Sequence, residues 1–181
     1  MNDAAWDPAF QQRAFRCLMR AYAYPGRTVA LAGDGAALLL ALTTLVDAGT
    51  RLADPDGLVD ALDRLRLGTE PVAPDRADFI VCAGRIPPRF EPRLGNLENP
   101  DQSATLLIQV DHLGSGLGLA LRGPGIPDTE TLRVAGLAPE WLDRRETWVA
   151  GFPLGVDLLL VDGRNAAALP RTTQVVAQGA E

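Results

Sequence analysis

Two short apolar runs, residues 79–83 and 156–161, constrain the fold of this 181-residue chain more than any other feature. A short, continuous apolar run is typical of a central strand that is covered on both faces. Segments with apolar residues at helical spacing lie before, between and after these runs, and they can supply the cover. The sequence therefore predicts an α/β fold, a sandwich of three layers built around a sheet.

Helix boundaries are marked clearly at the start of the chain. Asp7 and Pro8 form an N-cap and a first-turn proline, and the helix is predicted to end by Tyr24, before Pro25 and Gly26. Three further helices are predicted, at residues 36–48, 58–68 and 140–149. In the third of the four helices, Leu58, Leu62 and Leu65 supply the apolar stripe.

The middle of the chain predicts how the sheet is connected. Residues 105–110 and 118–122 have strand character and are expected to form a hairpin through the glycine-rich tip 112–116, which makes the sheet mixed. Further strands are predicted at residues 27–32, 131–134 and 167–169. The proline-rich segment 85–102 is a long loop of the kind that is often functional. No repeat or linker divides the chain, so one domain over residues 1–181 is expected.

Composition excludes several kinds of chemistry. All 17 basic residues are Arg, and without Lys there is no Schiff base to pyridoxal phosphate, no P-loop lysine and no lysine general base. A net charge of -6 without a basic cluster disfavours nucleic-acid binding. No apolar run reaches the roughly 20 residues that cross a bilayer. No secretory signal is evident, so no membrane association and a cytoplasmic location are expected.

Metal and cofactor sites are not expected either. His112 is the one histidine, and a surface turn position suits it better than a zinc site, which normally needs several close ligands. Cys17 and Cys82 lack metal-binding or redox spacing and are interpreted as buried, reduced thiols. The glycines at 114–118 lack the strand-to-helix context of a dinucleotide-binding loop, so a hairpin tip is favoured.

One candidate site is the bend formed by Arg122, Gly123 and Gly125. Taken alone, the bend is interpreted as the termination of a strand. Alternatively, its backbone amides and the arginine could meet an anion.

A second candidate site combines Asp157 with Arg171. An ionised carboxylate at the edge of an apolar strand needs a partner to offset its desolvation, and Arg171 is a suitable one. The residues favour a structural pair that holds the C-terminal segment against the sheet. The alternative is that Arg171, with the hydroxyls of Thr172 and Thr173, binds a phosphonate or phosphate oxyanion.

The order and spacing of these motifs resemble the PhnH family, small subunits of the bacterial carbon-phosphorus lyase system that breaks down organic phosphonates. The resemblance rests on Phe15, Arg16, Leu18 and Met19 with Tyr24, Pro25 and Gly26; on Asn99 and Pro100 with Ser103, Ala104 and Thr105; on Gly123, Pro124, Gly125 and Ile126; and most strongly on Phe152, Pro153, Gly155, Val156 and Asp157 with Leu169, Pro170, Arg171, Thr172 and Thr173. Leu154 departs from the pattern, because the family commonly has Arg there. If that Arg contacts an anion or another subunit, the contact is lost or relocated in this chain.

The resemblance implies a fold related to the pyridoxal-phosphate-dependent transferases but without the cofactor. It further implies a homodimer that joins the G, I and J subunits in a cytoplasmic core complex. The expected role is a non-catalytic or co-catalytic subunit that supports transfer of an alkylphosphonate onto the ribose of ATP, with no activity alone. The iron-sulfur radical chemistry of the pathway belongs to the J subunit. The alternatives are a free-standing phosphonate- or nucleotide-binding protein or enzyme using Asp157 and Arg171, and a purely structural dimer.

Overall fold

The computed structural model describes residues 3–31 and 37–178. Within these ranges the four helices are α1 (Pro8–Ala23), α2 (Ala37–Leu45), α3 (Ala61–Leu67) and α4 (Glu140–Val149). The ten strands of the described residues are β1 (Val29–Ala30), β2 (Arg51–Ala53), β3 (Glu70–Pro71), β4 (Phe79–Ala83), β5 (Thr105–Gln109), β6 (His112–Arg122), β7 (Glu130–Ala135), β8 (Asp157–Val161), β9 (Asn165–Leu169) and β10 (Gln174–Ala177). Short 3-10 turns occupy Asp3–Trp6, Pro74–Arg76 and Pro100–Gln102. The predicted beginning of the second helix, at residue 36, lies outside the described residues.

The apolar runs form the centre of a seven-stranded mixed sheet with the order β1-β9-β8-β5-β4-β2-β3. Strands β8, β5, β4, β2 and β3 are parallel, whereas β9 runs antiparallel to both β8 and β1. Ile80, Leu107 and Leu159 are fully buried in the three middle strands. The predicted central strands are therefore confirmed, and the fold is a mixed α/β architecture.

The predicted hairpin between residues 105–110 and 118–122 is wrong. Strand β5 has β4 on one side and β8 on the other, so it has no free edge for a hairpin partner. The chain instead enters a second, three-stranded antiparallel sheet with the order β10-β6-β7. The glycines form a bulge inside β6, where the register shifts between Leu113 and Leu117. A Cβ on Gly116, which has a φ of 88°, would lie 2.5 Å from the carbonyl oxygen of Val134.

Both faces of the large sheet are covered. Helices α1 and α2 pack on one face, where Leu18 and Leu40 belong to the same buried cluster as Leu107. The second sheet and α4 cover the other face, where Leu119 and Trp148 belong to one buried cluster. The antiparallel character of the large sheet comes from β9 and β1, not from the expected hairpin. Among the described residues, the outer layer on the second face consists of the three-stranded sheet and helix α4.

Some local predictions hold and others do not. The Asp7 carboxylate accepts a hydrogen bond from the Ala9 amide at 2.7 Å, as the N-cap assignment requires. Helix α4 has the predicted bounds. The predicted apolar stripe of α3 is wrong, because the side chains of Leu62 and Leu65 are exposed and Leu67 is the residue of this helix that is buried.

Asp162, in the turn between β8 and β9, connects the two sheets. Its Oδ1 accepts hydrogen bonds from the backbone amides of Arg164 and Asn165, and its Oδ2 accepts one from the amide of Leu113 at the start of β6. Burial opposes ionisation of this carboxyl, but the hydrogen bonds from Arg164, Leu113 and Asn165 outweigh it. The pKa of Asp162 consequently lies below its usual range.

Asp162→Asn should lower the free energy of unfolding by about 1–3 kcal/mol near neutral pH, because the amide group cannot accept all of these hydrogen bonds. Since the folded-state pKa is depressed, the carboxylate stabilises the fold fully above its unfolded pKa. This contribution is lost as the pH falls through the folded value. Urea unfolding at several pH values should show a difference from wild type that shrinks in acid. Asp128→Asn, at an exposed site, is the control. A difference that is independent of pH would contradict the prediction.

Candidate functional site

The predicted pair of Asp157 and Arg171 is present where the antiparallel strands β8 and β9 meet. Leu158 pairs with Leu169, which brings the residue at the start of β8 beside the segment that follows β9. The Arg171 amide donates to Oδ1 of Asp157 at 2.7 Å, and Nη2 donates to Oδ2 at 2.7 Å. The Arg171 and Asp157 side chains are only 16% and 21% exposed, so the pair is largely shielded from solvent.

The guanidinium of Arg171 is saturated by acceptors from the protein itself. Its Nη1 donates to the carbonyls of Pro100, at 2.9 Å, and Pro153, at 3.4 Å. Its Nη2 also donates to the hydroxyl of Ser103, and Nε donates to Asp157. An arginine has five side-chain N–H donors, so none is left over for a bound anion. Arg171 and the four residues that accept hydrogen bonds from its guanidinium are called the Arg171 cluster below; these four are Pro100, Ser103, Pro153 and Asp157.

The neighbouring threonines differ in their surroundings. Thr172 is exposed, whereas Thr173 is only 2% exposed. The Thr173 amide donates to the carbonyl of Pro170, and the Thr173 hydroxyl has no hydrogen-bond partner among the residues that the structure describes. The two hydroxyls that were considered together from sequence thus lie in different environments.

The bend after β6 lies against the Arg171 segment. A Cβ on Gly123 would lie 2.8 Å from the carbonyl oxygen of Thr172, and one on Gly125 would lie 2.3 Å from that of Ala23. Both glycines have a positive φ, so both the backbone conformation and the close approach favour glycine here. Arg122 is exposed and donates from Nε to the Thr129 hydroxyl at 3.0 Å. The two candidate sites are therefore adjacent in space.

A cavity of about 950 Å³ lies between α4 and the segment from Arg171 to β10. Most of its wall is apolar; the side chains that contribute include Leu117, Leu142, Val149, Phe152, Val175 and Val176. Arg171, Thr172 and Thr173 line the same cavity. It is large enough for a small molecule, because ligand sites usually measure about 300–1,000 Å³.

Arg145 also lines this cavity, and the sequence analysis did not identify it. Its Nη2 donates to the carbonyls of Pro170 and Thr173, at 2.7 and 2.9 Å. Burial lowers the pKa of Arg145 to about 10, although the charge of Asp157 acts in the opposite direction. The sequence does carry a signal for Arg145, because Trp141, Arg145 and Trp148 recur at helical spacing and therefore share one face of the helix. In the structure all three residues are buried.

The remaining predicted residues do not form a further centre. His112 lies in β6 and not in a turn; it is exposed, and its Nδ1 lies 3.2 Å from the Ser115 hydroxyl. Cys82 is buried and Cys17 half-buried, and both thiols are free. Within residues 3–31 and 37–178, no group of three or more His, Cys, Asp or Glu is placed to hold a metal ion. In the same ranges no helix has the length and apolar character that crossing a membrane requires.

The fold and the site define a mixed α/β protein in which an arginine-centred cluster of contacts lies beside an apolar cavity. A family model described as "Bacterial phosphonate metabolism protein (PhnH)" matches residues 3–176, and the chain belongs to this family. It is 49% identical over 177 residues to "Putative C-P lyase subunit protein HtxG" of Stutzerimonas stutzeri, covering 97% of this chain and 90% of the relative. It is 34% identical over 194 residues to "Alpha-D-ribose 1-methylphosphonate 5-triphosphate synthase subunit PhnH" of Rhizobium meliloti (strain 1021), covering 93% and 92%. The family resemblance seen in the sequence is confirmed.

Proposed function

We propose that this chain is a subunit of a carbon-phosphorus lyase core complex. In this role it supports transfer of an alkylphosphonate onto the ribose of ATP during the catabolism of organic phosphonates, without turnover of its own. One relative is named as a C-P lyase subunit and the other as a subunit of ribose 1-methylphosphonate 5-triphosphate synthase. Both similarities extend over nearly the whole chain, which supports a shared role.

The Arg171 cluster is the observation that carries the proposal. The motifs that resemble the family most strongly direct their charged groups at each other and at backbone carbonyls. They therefore stabilise a shape and leave no spare arginine donor for catalysis at this point. Together with the absence of lysine, this favours a subunit that contributes surface to chemistry performed by its partners.

The remainder of the proposal follows from the family resemblance. The chain forms a homodimer as a single domain, and it joins the G, I and J subunits in the cytoplasm. Its fold is related to the pyridoxal-phosphate-dependent transferases, and it binds no such cofactor. The alternative, a free-standing small-anion site at Asp157 and Arg171, stays a prediction. The contacts of the guanidinium favour the structural role of this pair.

Reconstitution tests the subunit role. Tagged chain is co-expressed with the G, I and J subunits from the same genome, purified, and incubated with methylphosphonate and ATP. We expect the chain to co-purify with these subunits and the transfer product to be lost when the chain is omitted. The isolated chain should form no product.

Turnover by the isolated chain, or failure to co-purify, would overturn the proposal.

Exposed arginines allow a matched test of the surface. Co-purification with the G, I and J subunits is compared between two variants. Arg122→Ala changes the candidate bend, whereas Arg133→Ala changes an exposed position of β7 in the same sheet and serves as the control.

A further inference from the structure

Arg145 is a buried cation without a carboxylate partner in the described part of the chain. Arg145 is only 3% exposed, and its side chain donates hydrogen bonds to the neutral carbonyls of Pro170 and Thr173. Asp157 acts on it electrostatically, but that carboxylate is bonded to Arg171. A buried charge that lacks a counter-charge is strongly unfavourable, so an anion placed against Arg145 would be stabilised.

Two unsatisfied polar groups lie in the same wall. The Nε of Arg145 and the hydroxyl of Thr173 are two of the four buried side-chain atoms without a hydrogen-bond partner among the described residues. Such atoms are rare in folded proteins and call for an explanation. Both residues line the cavity of about 950 Å³, so a molecule held in it lies beside both.

The rest of the cavity limits what that molecule can be. Its walls are largely apolar, so an apolar or aromatic body gains free energy by leaving water. Asp143 and Glu146 are exposed residues of α4 that also line the cavity, and their charges oppose a polyanion such as a triphosphate. A small head group with little charge is less affected by them.

We propose that this cavity binds a small organic anion, in which an oxyanion head group lies against the wall that carries Arg145 and Thr173 and an apolar body fills the remaining space. Organic phosphonates and organic carboxylates share this chemistry. The site differs from the Asp157 and Arg171 hypothesis, because its cation is Arg145. It does not depend on the proposed role in a multi-subunit complex.

Calorimetry on the full isolated chain tests the proposal with phenylphosphonate, benzoate and inorganic phosphate as probes. We expect saturable binding of at least one of the two organic anions. Inorganic phosphate should bind at least about tenfold more weakly, because it has no apolar body to bury. The stronger of the two organic probes identifies the head group. If neither organic probe binds at millimolar concentration, or if phosphate binds as well as they do, the proposal is wrong.

Variants locate the site. Arg145→Met should weaken binding of the organic anion at least about tenfold, because a charge-assisted interaction is lost. Arg144→Met is the matched control, since Arg144 immediately precedes Arg145 in α4 and does not line the cavity. Ala177→Phe narrows the cavity while it keeps Arg145, and it should weaken binding similarly even if Arg145→Met does not fold. Undiminished binding in Ala177→Phe, or equal losses in the two methionine variants, would overturn the assignment. A chain that binds the anion but fails to join the other subunits would contradict only the proposed function.

Discussion

Trp148→Ala is expected to lower the free energy of unfolding by about 3–5 kcal/mol, the usual cost of truncating a buried tryptophan. Trp148 is 2% exposed in α4, where its ring is stacked with Phe90 at 6.2 Å and meets Trp141 edge-on at 6.4 Å. Its indole N–H donates to Glu91 at 2.9 Å. The variant therefore loses packing on both aromatic neighbours together with a hydrogen bond, and urea unfolding monitored by circular dichroism measures the loss.

One further variant separates the loss of packing from the loss of the hydrogen bond, and a second serves as a control at an exposed site. Trp148→Phe keeps an aromatic ring but removes the N–H donor, so it should lie between wild type and Trp148→Ala. Leu65→Ala removes a large apolar side chain from α3 that is 77% exposed, and we expect a change within about 0.5 kcal/mol. If Leu65→Ala were as damaging as Trp148→Ala, the burial described for these two helices would be wrong.

Arg171→Ala should cost about 2–4 kcal/mol of the free energy of unfolding. Removing one partner from a buried ion pair typically costs about 3–5 kcal/mol, and partial exposure of this pair reduces the expected value. The variant also leaves the carboxylate of Asp157 without its guanidinium and the carbonyl of Pro100 without its donor. Chemical denaturation at neutral pH, in low and in high salt, measures the effect.

The matched control is Arg85→Ala, which removes an ion pair with Asp111 in which the arginine side chain is 75% exposed. It should lower the free energy of unfolding far less than Arg171→Ala does, and its effect should depend more on salt. Arg171→Lys should remain well below wild type, because an ammonium group cannot replace the planar fork that reaches several acceptors at once. Equal losses in Arg171→Ala and Arg85→Ala would show that the cluster does not hold the fold together.

The central strands could be predicted because a strand with two covered faces must be apolar throughout, as residues 79–83 are. The short strands Arg51–Ala53, Glu70–Pro71 and Gln174–Ala177 were missed. Glu70–Pro71 lies at the edge of the large sheet and Gln174–Ala177 at the edge of the small one. Strands this short carry almost no periodicity, and their pairing depends on partners distant in sequence. The predicted hairpin is wrong because β5 and β6, which are neighbours in sequence, belong to different sheets.

The candidate site, like the fold, could be predicted from the sequence only in part. The partnership of Asp157 and Arg171 was predictable, since a carboxylate at the edge of an apolar strand must be compensated. The contributions of Ser103 and of the backbone carbonyls were not, because only the folded chain brings them within reach. Arg145 lies on the buried side of an amphipathic helix, where a charged residue is less conspicuous in sequence than one in a loop or turn.

The order of strands has a consequence for biosynthesis. Strand β8 lies between β5 and β9 in the large sheet, and the Arg171 guanidinium reaches back 71 positions to Pro100. A nascent polypeptide that has not yet emerged from the ribosome beyond residue 156 still exposes the side of β5 that β8 will cover. Pairing between such distant segments is slow, and an uncovered strand edge is prone to aggregation. We therefore expect this protein to reach its native state only after translation of its last strands, with the greatest need for chaperones just before that point.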